Sequence, residues 1–490
     1  MKPKPQTHVK LQRELGLFSA SCLLVNLMLG SGIFISSANT LQNTGSVGMN
    51  LVLWTCCGML SLMGAMSYAE LGTMVNKSGS EFGFYLYAFG DLNKFWGPLP
   101  SFVYSWVTIV YINPAAMGIV ALTFAEYTVR PFGLRTNEES TAAYSPEVEH
   151  MLKKAVALAA ICVITFINYI SVKVFVKIQN VLTISKVTVC IVIIVAGLYQ
   201  IYLGKIQTLM TGFEGTKLSI DSLSMAFYSG LWGFGGWTAV TDVFEEIKNP
   251  ERNILLSILL TIPFVTLIYV LINISYLTVL SIPEMISVPA VAVEFGIRAL
   301  GIFGFVIPIG VVTATFGCAL SIQFKTARLC FAASREGQFL EVFSYVSVKN
   351  LTPAPAVFLQ GLLASVCILS GNIISLIEFV GFLAWMFFGI SMVALLKMRC
   401  TQKDIYRPFK VPIVIPVLVL VASIVLFLTP LIQSPKPQFL IALALILSAF
   451  AVYVPFVYHK KRWSFVDNFT RAIEKLMGVV KPDTDETELA

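Results

Sequence analysis

Long apolar runs separated by short polar segments occupy most of the chain. Twelve of these runs approach the ~20 residues that a helix needs to cross the hydrocarbon core of a bilayer. Because the runs are continuous rather than alternating, they indicate helices and not the strands of a membrane barrel. The pattern predicts an all-α membrane protein with twelve transmembrane helices. The predicted spans are 15–40, 47–72, 98–127, 153–171, 178–203, 222–246, 254–281, 302–333, 355–371, 373–396, 409–430 and 437–458.

The composition excludes a water-soluble protein. Of the 490 residues, 57% are hydrophobic and 12% are charged, whereas soluble proteins carry about 25% charged residues. The three histidines, His8, His150 and His459, lie outside the predicted spans. A membrane enzyme would need catalytic groups within the spans, so we expect no enzyme, no metal site and no cofactor.

The basic residues predict the orientation of the spans. With the N-terminus placed inside, 26 of the 34 lysines and arginines fall on the inner side, so both termini are predicted to be cytoplasmic. The net charge of +7 then reflects topology and gives no reason to expect a nucleic-acid partner. The predicted divisions are a cytoplasmic N-terminus at 1–14, a first five-span repeat at 15–203, a second five-span repeat at 222–396, two additional helices at 409–458 and a cytoplasmic C-terminal tail at 459–490.

The first and sixth spans are each interrupted by glycines. The interruptions are Gly30-Ser31-Gly32 and Gly233-Phe234-Gly235-Gly236. Clustered glycines weaken a helix, and broken helices at matching positions of two halves indicate the binding site of a transporter. The arrangement predicts a five-plus-five inverted repeat with spans 1 and 6 unwound. For each cluster taken alone, the alternative is close packing between helices.

The two interruptions also predict what binds. Backbone N–H groups freed at Gly30 to Gly32 would bind a carboxylate at the positive end of a half-helix, with the Ser31 hydroxyl as a further donor. Carbonyls freed around Trp232 to Phe234 would accept from an ammonium group, so the pair predicts a zwitterionic α-amino acid as substrate. Trp232 is the candidate gate. The candidate substrate-binding residues are Gly30, Ser31, Gly32, Ile33, Trp232, Gly233, Phe234 and Gly235.

Lys186 is an ionisable residue inside the fifth predicted span. One interpretation is that its ammonium group reaches the inner interface while the stem stays in the membrane. The other is a fixed cation beside the unwound first helix, which would replace a bound sodium ion and make transport independent of sodium.

Several motifs resemble those of the L-type and b(0,+)-type amino-acid exchangers. These are the light chains of heteromeric amino acid transporters, in the amino acid–polyamine–organocation superfamily. The resemblance covers nearly the whole chain, and its last block and the C-terminal motif look closest to the b(0,+) type. The motifs are Gly30-Ser31-Gly32-Ile33-Phe34, Ala69-Glu70-Leu71-Gly72-Thr73, Lys77-Ser78-Gly79, Phe213-Glu214-Gly215, Ala226-Phe227-Tyr228-Ser229-Gly230-Leu231-Trp232, Glu245-Glu246-Ile247-Lys248-Asn249-Pro250, Arg335-Glu336-Gly337, Tyr345-Val346-Ser347-Val348-Lys349, Leu351-Thr352-Pro353-Ala354-Pro355-Ala356 and Val479-Val480-Lys481-Pro482-Asp483.

The resemblance implies a LeuT-type fold and sodium-independent, obligatory exchange of amino acids across the plasma membrane. It also implies pairing with a single-span glycoprotein heavy chain similar to rBAT. Lys186 matches the family's lysine at the position of a sodium site, and Trp232 matches the large aromatic residue that occludes the pocket.

Four positions depart from the family pattern. The outer loop 128–152 lacks the cysteine that bridges to the heavy chain, which puts a disulfide in doubt. Gly235 stands where the b(0,+) type has an aspartate, Asn113 where a basic residue is common, and Leu27 where the relatives have a threonine. These departures predict neutral substrates, aromatic ones among them, and weakened transport of cationic ones.

Two alternatives to the neutral exchanger remain open. One is a broad b(0,+)-like exchanger for neutral and cationic amino acids. The other belongs to a different class, a non-transporting sensor or trafficking subunit that keeps the same fold.

Overall fold

The computed structural model describes most of the predicted spans and the segments that join them. The N-terminus at 1–14, the Lys77-Ser78-Gly79 motif, most of the loop 128–152 and the tail beyond residue 481 lie outside the described residues. The described residues are 16–75, 80–129, 146–242, 244, 247–288, 290–370, 373–433, 437–460 and 464–481.

The first half of the chain folds into helices that follow the predicted apolar runs. An apolar run becomes a helix because a helix satisfies its backbone groups internally, where lipid offers no partner. A π-helical stretch at Thr108–Ile112 joins α5 to α6 in one continuous span. The helices are α1 Leu17–Met28, α2 Gly32–Thr44, α3 Val47–Val75, α4 Glu81–Phe89, α5 Leu99–Val107, α6 Asn113–Val129, α7 Pro146–Ile170, α8 Val172–Tyr202 and α9 Gln207–Met210.

The second half continues in the same way. Short 3-10 helices at Gly301–Phe305 and Glu341–Ser344 and a π-helical stretch at Tyr453–Tyr458 adjoin the longer helices. The helices are α10 Ile220–Gly233, α11 Ala239–Asp242, α12 Pro250–Val279, α13 Ile282–Ser287, α14 Val291–Leu300, α15 Val306–Arg335, α16 Ala354–Ser370, α17 Ile373–Thr401, α18 Val414–Gln433, α19 Pro437–Val452 and α20 Ser464–Met477.

The long helices make this a multi-pass membrane protein. Among the described residues, nine helical stretches are long and apolar enough to cross a membrane, and the pair α1 and α2, bent by 49°, makes a tenth. Helix α16 is apolar but shorter, and α10 is separated from α11 by an interruption. The predicted all-helical, multi-pass class is confirmed, while the count of twelve spans and the repeat boundaries stay predictions.

The C-terminal segment is fastened to the connection between α15 and α16. Strand β1, Val346–Ser347, pairs antiparallel with strand β2, Val479–Val480. Next to this pair, the ammonium group of Lys481 lies 2.7 Å from a carboxylate oxygen of Glu341. Helix α20 therefore ends close to the end of α15.

The interrupted helices lie at the centre of the helix assembly. Helix α2 packs along α10, and α1 packs against α12, α15 and α8. Helix α3 packs against both α10 and α12. The two breaks therefore face one another, surrounded by continuous helices.

Candidate functional site

The first break separates α1 from α2 at residues 29–31. The N–H groups of Leu29 and Gly30 donate to the carbonyls of Val25 and Met28, each at 2.8 Å. Within the described part of the chain, the N–H groups of Gly32 and Ile33 form no backbone hydrogen bond. The start of α2 thus leaves two donors unpaired, at the positive end of its helix dipole. They lie slightly later in the chain than the predicted Gly30 to Gly32.

Side chains from other helices cap the end of α1. The ammonium group of Lys186 donates to the Asn26 carbonyl at 2.8 Å, and it also contacts the Asn26 side-chain oxygen. The Cys318 thiol lies 3.8 Å from the Leu27 carbonyl oxygen. A positive charge at the carboxyl end of a helix opposes the negative end of its dipole, so Lys186 is suited to this position.

Lys186 lies deep in the protein rather than at an interface. Its side chain is 1% exposed, and a Cβ atom at Gly317 of α15 would lie 3.4 Å from its Cε atom. The interpretation in which this ammonium group reaches the inner interface does not fit that burial. The structure instead places the cation at the end of α1, beside the first break.

The second break begins where α10 ends at Gly233. The N–H of Phe234 donates to the Leu231 carbonyl at 3.1 Å, and the N–H of Gly235 donates to the Trp232 carbonyl at 3.0 Å. Gly236 then adopts a φ of +103°, a conformation that side chains other than glycine rarely take. The helix therefore cannot continue until α11.

The two breaks touch through their backbones. A Cβ atom at Gly32 would lie 2.3 Å from the Cα atom of Gly233, so only a glycine permits this approach. The Tyr269 hydroxyl of α12 donates to the Gly233 carbonyl at 2.7 Å. It also lies within hydrogen-bond distance of the Met28 carbonyl. The Trp232 indole nitrogen lies 3.3 Å from the Ser31 hydroxyl. The glycines thus allow close packing between helices as well as unwinding. The two interpretations of the glycine clusters, a binding site and a packing contact, are therefore compatible.

A cavity of about 2580 Å³ opens beside the breaks. Five predicted site residues line it: Gly30, Ser31, Gly32, Trp232 and Gly235.

Four other predicted residues are not among the lining residues. Ile33 and Phe234 are fully buried, and Gly233 and Lys186 lie behind the cavity wall. Phe234 packs on Trp54 and Tyr269, at ring-centroid distances of 6.1 and 5.1 Å.

The cavity runs from the breaks to one surface of the protein. We call this surface the basic face, because the exposed residues Arg252 and Arg335 line the cavity there, next to Val480. On the opposite side α2 and α10 close together, and the Asn39 amide donates to the Ser229 hydroxyl at 2.5 Å. The breaks are therefore reached from the basic face.

Comparison with known proteins decides the family. The amino acid permease family matches residues 15–461. The chain belongs to the amino acid permease family. The permease is 40% identical to the mouse b(0,+)-type amino acid transporter 1 over 97% of its own length and 94% of the relative.

Two further relatives are named as transporters of other amino acids. The human cystine/glutamate transporter is 36% identical, over 99% of the permease and 94% of the relative. The rat large neutral amino acids transporter small subunit 2 is 32% identical, over 98% and 88%. The resemblance inferred from the motifs is confirmed, and the permease is a transporter rather than an enzyme.

The prediction from the sequence motifs did not include Glu81, a polar residue of the permease cavity. Glu81 lies in α4, between the second and third predicted spans, where the apolar pattern predicts no span. Its carboxylate accepts from the hydroxyls of Tyr68 and Tyr104, at 3.0 and 2.8 Å. The available signal in the sequence was a single acidic residue, Glu81, within the aromatic segment 80–89. Its partners are more than ten residues away in the chain, so only the fold reveals the cluster.

Proposed function

We propose that this permease is a sodium-independent plasma-membrane exchanger of neutral L-amino acids, aromatic ones among them, working by alternating access. The observation that carries the proposal is the pair of N–H groups at Gly32 and Ile33, which form no backbone hydrogen bond in the described chain and begin α2 where Gly32 lines the cavity. Together with the Ser31 hydroxyl, they form the kind of site that binds carboxylates at a helix start.

The ammonium group of the same substrate has an acceptor at the second break. The Gly233 carbonyl accepts from the Tyr269 hydroxyl, and a carbonyl oxygen has two lone pairs, so it can accept a second donor. The substrate is then held by backbone groups of opposite polarity on two broken helices, and Trp232 closes over it. This arrangement suits a zwitterion and requires no metal ion or cofactor.

Lys186 supports independence from sodium. Its ammonium group donates to the Asn26 carbonyl, where a positive charge offsets the carboxyl end of α1. With the ammonium group of Lys186 in that place, the first break needs no sodium ion to keep its geometry.

Neutral side chains are supported by the residues that line the cavity near the breaks. Leu27, Asn113 and Gly235 carry no charge. A broad range of neutral and cationic substrates is the second candidate, and the 40% identity to a transporter named b(0,+)-type favours it.

Alternating access follows from the proposed five-plus-five repeat of twelve spans. In this proposal the basic face is cytoplasmic, as are both termini, because basic residues concentrate in cytoplasmic loops. The cavity that reaches the basic face then corresponds to an inward-open state, and closing it while separating α2 from α10 would open the site outward.

We further propose that the permease pairs with a single-span glycoprotein heavy chain of the rBAT kind. One relative is named a small subunit, which supports a larger partner. The loop 128–152 contains no cysteine, so the association would be non-covalent.

Reconstituted vesicles test the exchange. Vesicles loaded with labelled leucine should release the label only when an unlabelled amino acid is present outside, and release should be equal in sodium and choline buffers. Efflux that proceeds equally well into amino-acid-free buffer rules out obligatory exchange, and a requirement for sodium rules out the role of Lys186. A panel of competing amino acids, run in cells with and without a heavy chain, defines the side-chain range and the partner.

A further inference from the structure

One buried carboxylate of the cavity has no role in the proposed amino-acid site. Glu81 begins α4, is 4% exposed and lines the same cavity as the two breaks. A buried charge is costly unless other groups compensate for it, so a carboxylate in this position calls for a reason.

Neutral hydroxyl groups hold this carboxylate in place. Tyr68 of α3 donates to Oε1 at 3.0 Å, and Tyr104 of α5 donates to Oε2 at 2.8 Å. Both tyrosines are themselves buried, which fixes the orientation of the carboxylate. These bonds position the group but bring no positive charge to it.

No lysine or arginine of the described chain forms an ion pair with Glu81. Lys325 also lines the cavity, but its ammonium group lies 3.7 Å from a carboxylate oxygen of Asp242. Lys325 therefore pairs with Asp242 and not with Glu81. A cation that enters the cavity would find Glu81 available.

A polar group elsewhere on the cavity wall has no hydrogen-bond partner among the described residues. The Thr108 hydroxyl, one turn beyond Tyr104, is in a residue that lines the cavity and is 5% exposed, yet it forms no hydrogen bond in the described chain. Thr108 begins the π-helical stretch at Thr108–Ile112, and such interruptions of an α-helix are frequent at functional sites.

Contacts connect Glu81 and its neighbour Ser80 to the second break and to α11. The ring of Tyr68 packs edge-on against Trp237, with centroids 4.8 Å apart, and Trp237 directly follows the break. On the side of α11, the hydroxyls of Ser80 and Thr241 lie 3.0 Å apart. The carboxylate is therefore linked to the break through two aromatic side chains, Tyr68 and Trp237.

We propose that Glu81 is a subsite for the cationic end of a substrate side chain, an ammonium or guanidinium group. The inference rests on the proposed amino-acid site: the α-carboxylate and α-ammonium groups bind at the breaks, and a long cationic side chain extends through the cavity toward Glu81. Glu81 of α4 then supplies the negative charge that an aspartate supplies in the b(0,+) type at the position of Gly235. A neutral residue at Gly235 therefore does not exclude cationic substrates.

The substitution Glu81→Gln tests the subsite, because it keeps the shape and the acceptor oxygen and removes the charge. Exchange of labelled arginine and of labelled leucine is measured in the same reconstituted vesicles. We expect KM for arginine to rise roughly tenfold or more, as for the loss of a charge-assisted hydrogen bond, while KM for leucine changes by less than about twofold. Glu81→Asp, which keeps the charge, should retain part of the arginine affinity. Tyr104→Phe, which removes one donor, should affect arginine less than Glu81→Gln does.

The outcomes separate this inference from the proposed function. If the unaltered protein exchanges leucine but not arginine, the subsite is wrong and the exchanger stands, whereas failure to exchange any amino acid overturns the exchanger. Equal loss of leucine and arginine exchange in Glu81→Gln indicates a structural role or a gate and overturns the subsite, as does unchanged arginine exchange. A dependence on sodium or potassium that disappears in Glu81→Gln would assign the carboxylate to an inorganic cation instead.

Discussion

The indole nitrogen of Trp232 lies 3.3 Å from the hydroxyl oxygen of Ser31, so one side-chain hydrogen bond connects the two helix breaks. The two residues are 201 positions apart in the chain. A substrate carboxylate that accepts from Ser31 would compete with no other acceptor there, because the hydroxyl can accept from the indole and donate to the substrate at once.

Replacing Ser31 with alanine should weaken substrate binding without removing it. One neutral hydrogen bond contributes about 0.5–1.5 kcal/mol, which corresponds to roughly a two- to tenfold rise in KM. The measurement is leucine exchange in vesicles, with Ser36→Ala, a buried serine one turn further along α2, as control. An unchanged KM would remove Ser31 from the carboxylate site.

Replacing Gly32 with alanine should abolish exchange. The added methyl group would lie 2.3 Å from the Gly233 Cα atom, and the backbone of α10 cannot yield as a flexible side chain could. Surface expression and exchange are measured together in cells. Gly16→Ala is the matched control, because a Cβ atom at Gly16 meets nothing within 4 Å. Normal exchange by Gly32→Ala would show that the two breaks need not touch.

Replacing Gly235 with aspartate should add a charge to the cavity and improve arginine or lysine exchange. A Cβ atom there meets only the Trp232 carbonyl oxygen, at 3.2 Å, and the residue is exposed to the cavity. Gly236→Asp is the contrast, because its φ is +103° and its Cβ atom would lie 2.5 Å from that of Leu27. We expect this second variant to lose all exchange. Arginine exchange that does not increase in Gly235→Asp refutes the charge argument.

Replacing Lys186 with methionine should lower the exchange of every substrate. The change keeps an unbranched side chain, one atom shorter, but leaves the Asn26 carbonyl without its donor and the end of α1 without a cation. Rates are compared in sodium and choline buffers, with the exposed Lys177→Met on the same helix as control. Exchange at the normal rate would mean that the cation is dispensable.

Replacing Tyr269 with phenylalanine should destabilise the protein by about 1–3 kcal/mol, because buried carbonyls at both breaks share its hydroxyl. Thermal unfolding of the purified protein in detergent is the measurement. Tyr276→Phe on the same helix is a matched control, because the buried Tyr276 hydroxyl has no partner in the described chain. Equal unfolding temperatures for the two variants would exclude a special role for the Tyr269 hydroxyl.

The sequence predicts the site only in part, and the reason differs among residues. Gly235 and Ser31 line the cavity, and the glycine breaks that single them out are local features of the sequence. Phe234 lies in the second break next to Gly235, but it is fully buried and packs against Trp54 and Tyr269. The position of a break in the sequence does not reveal this burial.

The sequence by itself determined the membrane class, the positions of the long helices and the two places where they break, because apolar length and clustered glycines act on nearby backbone. Only the tertiary structure decided which N–H groups stay unpaired, that Lys186 caps α1, and that Glu81 shares the cavity with the breaks. Each of these depends on helices that are distant in the chain and meet only in the packed protein. A sequence does not show whether an amide is bonded within its own turn, whether a lysine is buried or whether an acid lies between tyrosines. The neighbours in space determine what each of these groups can bind.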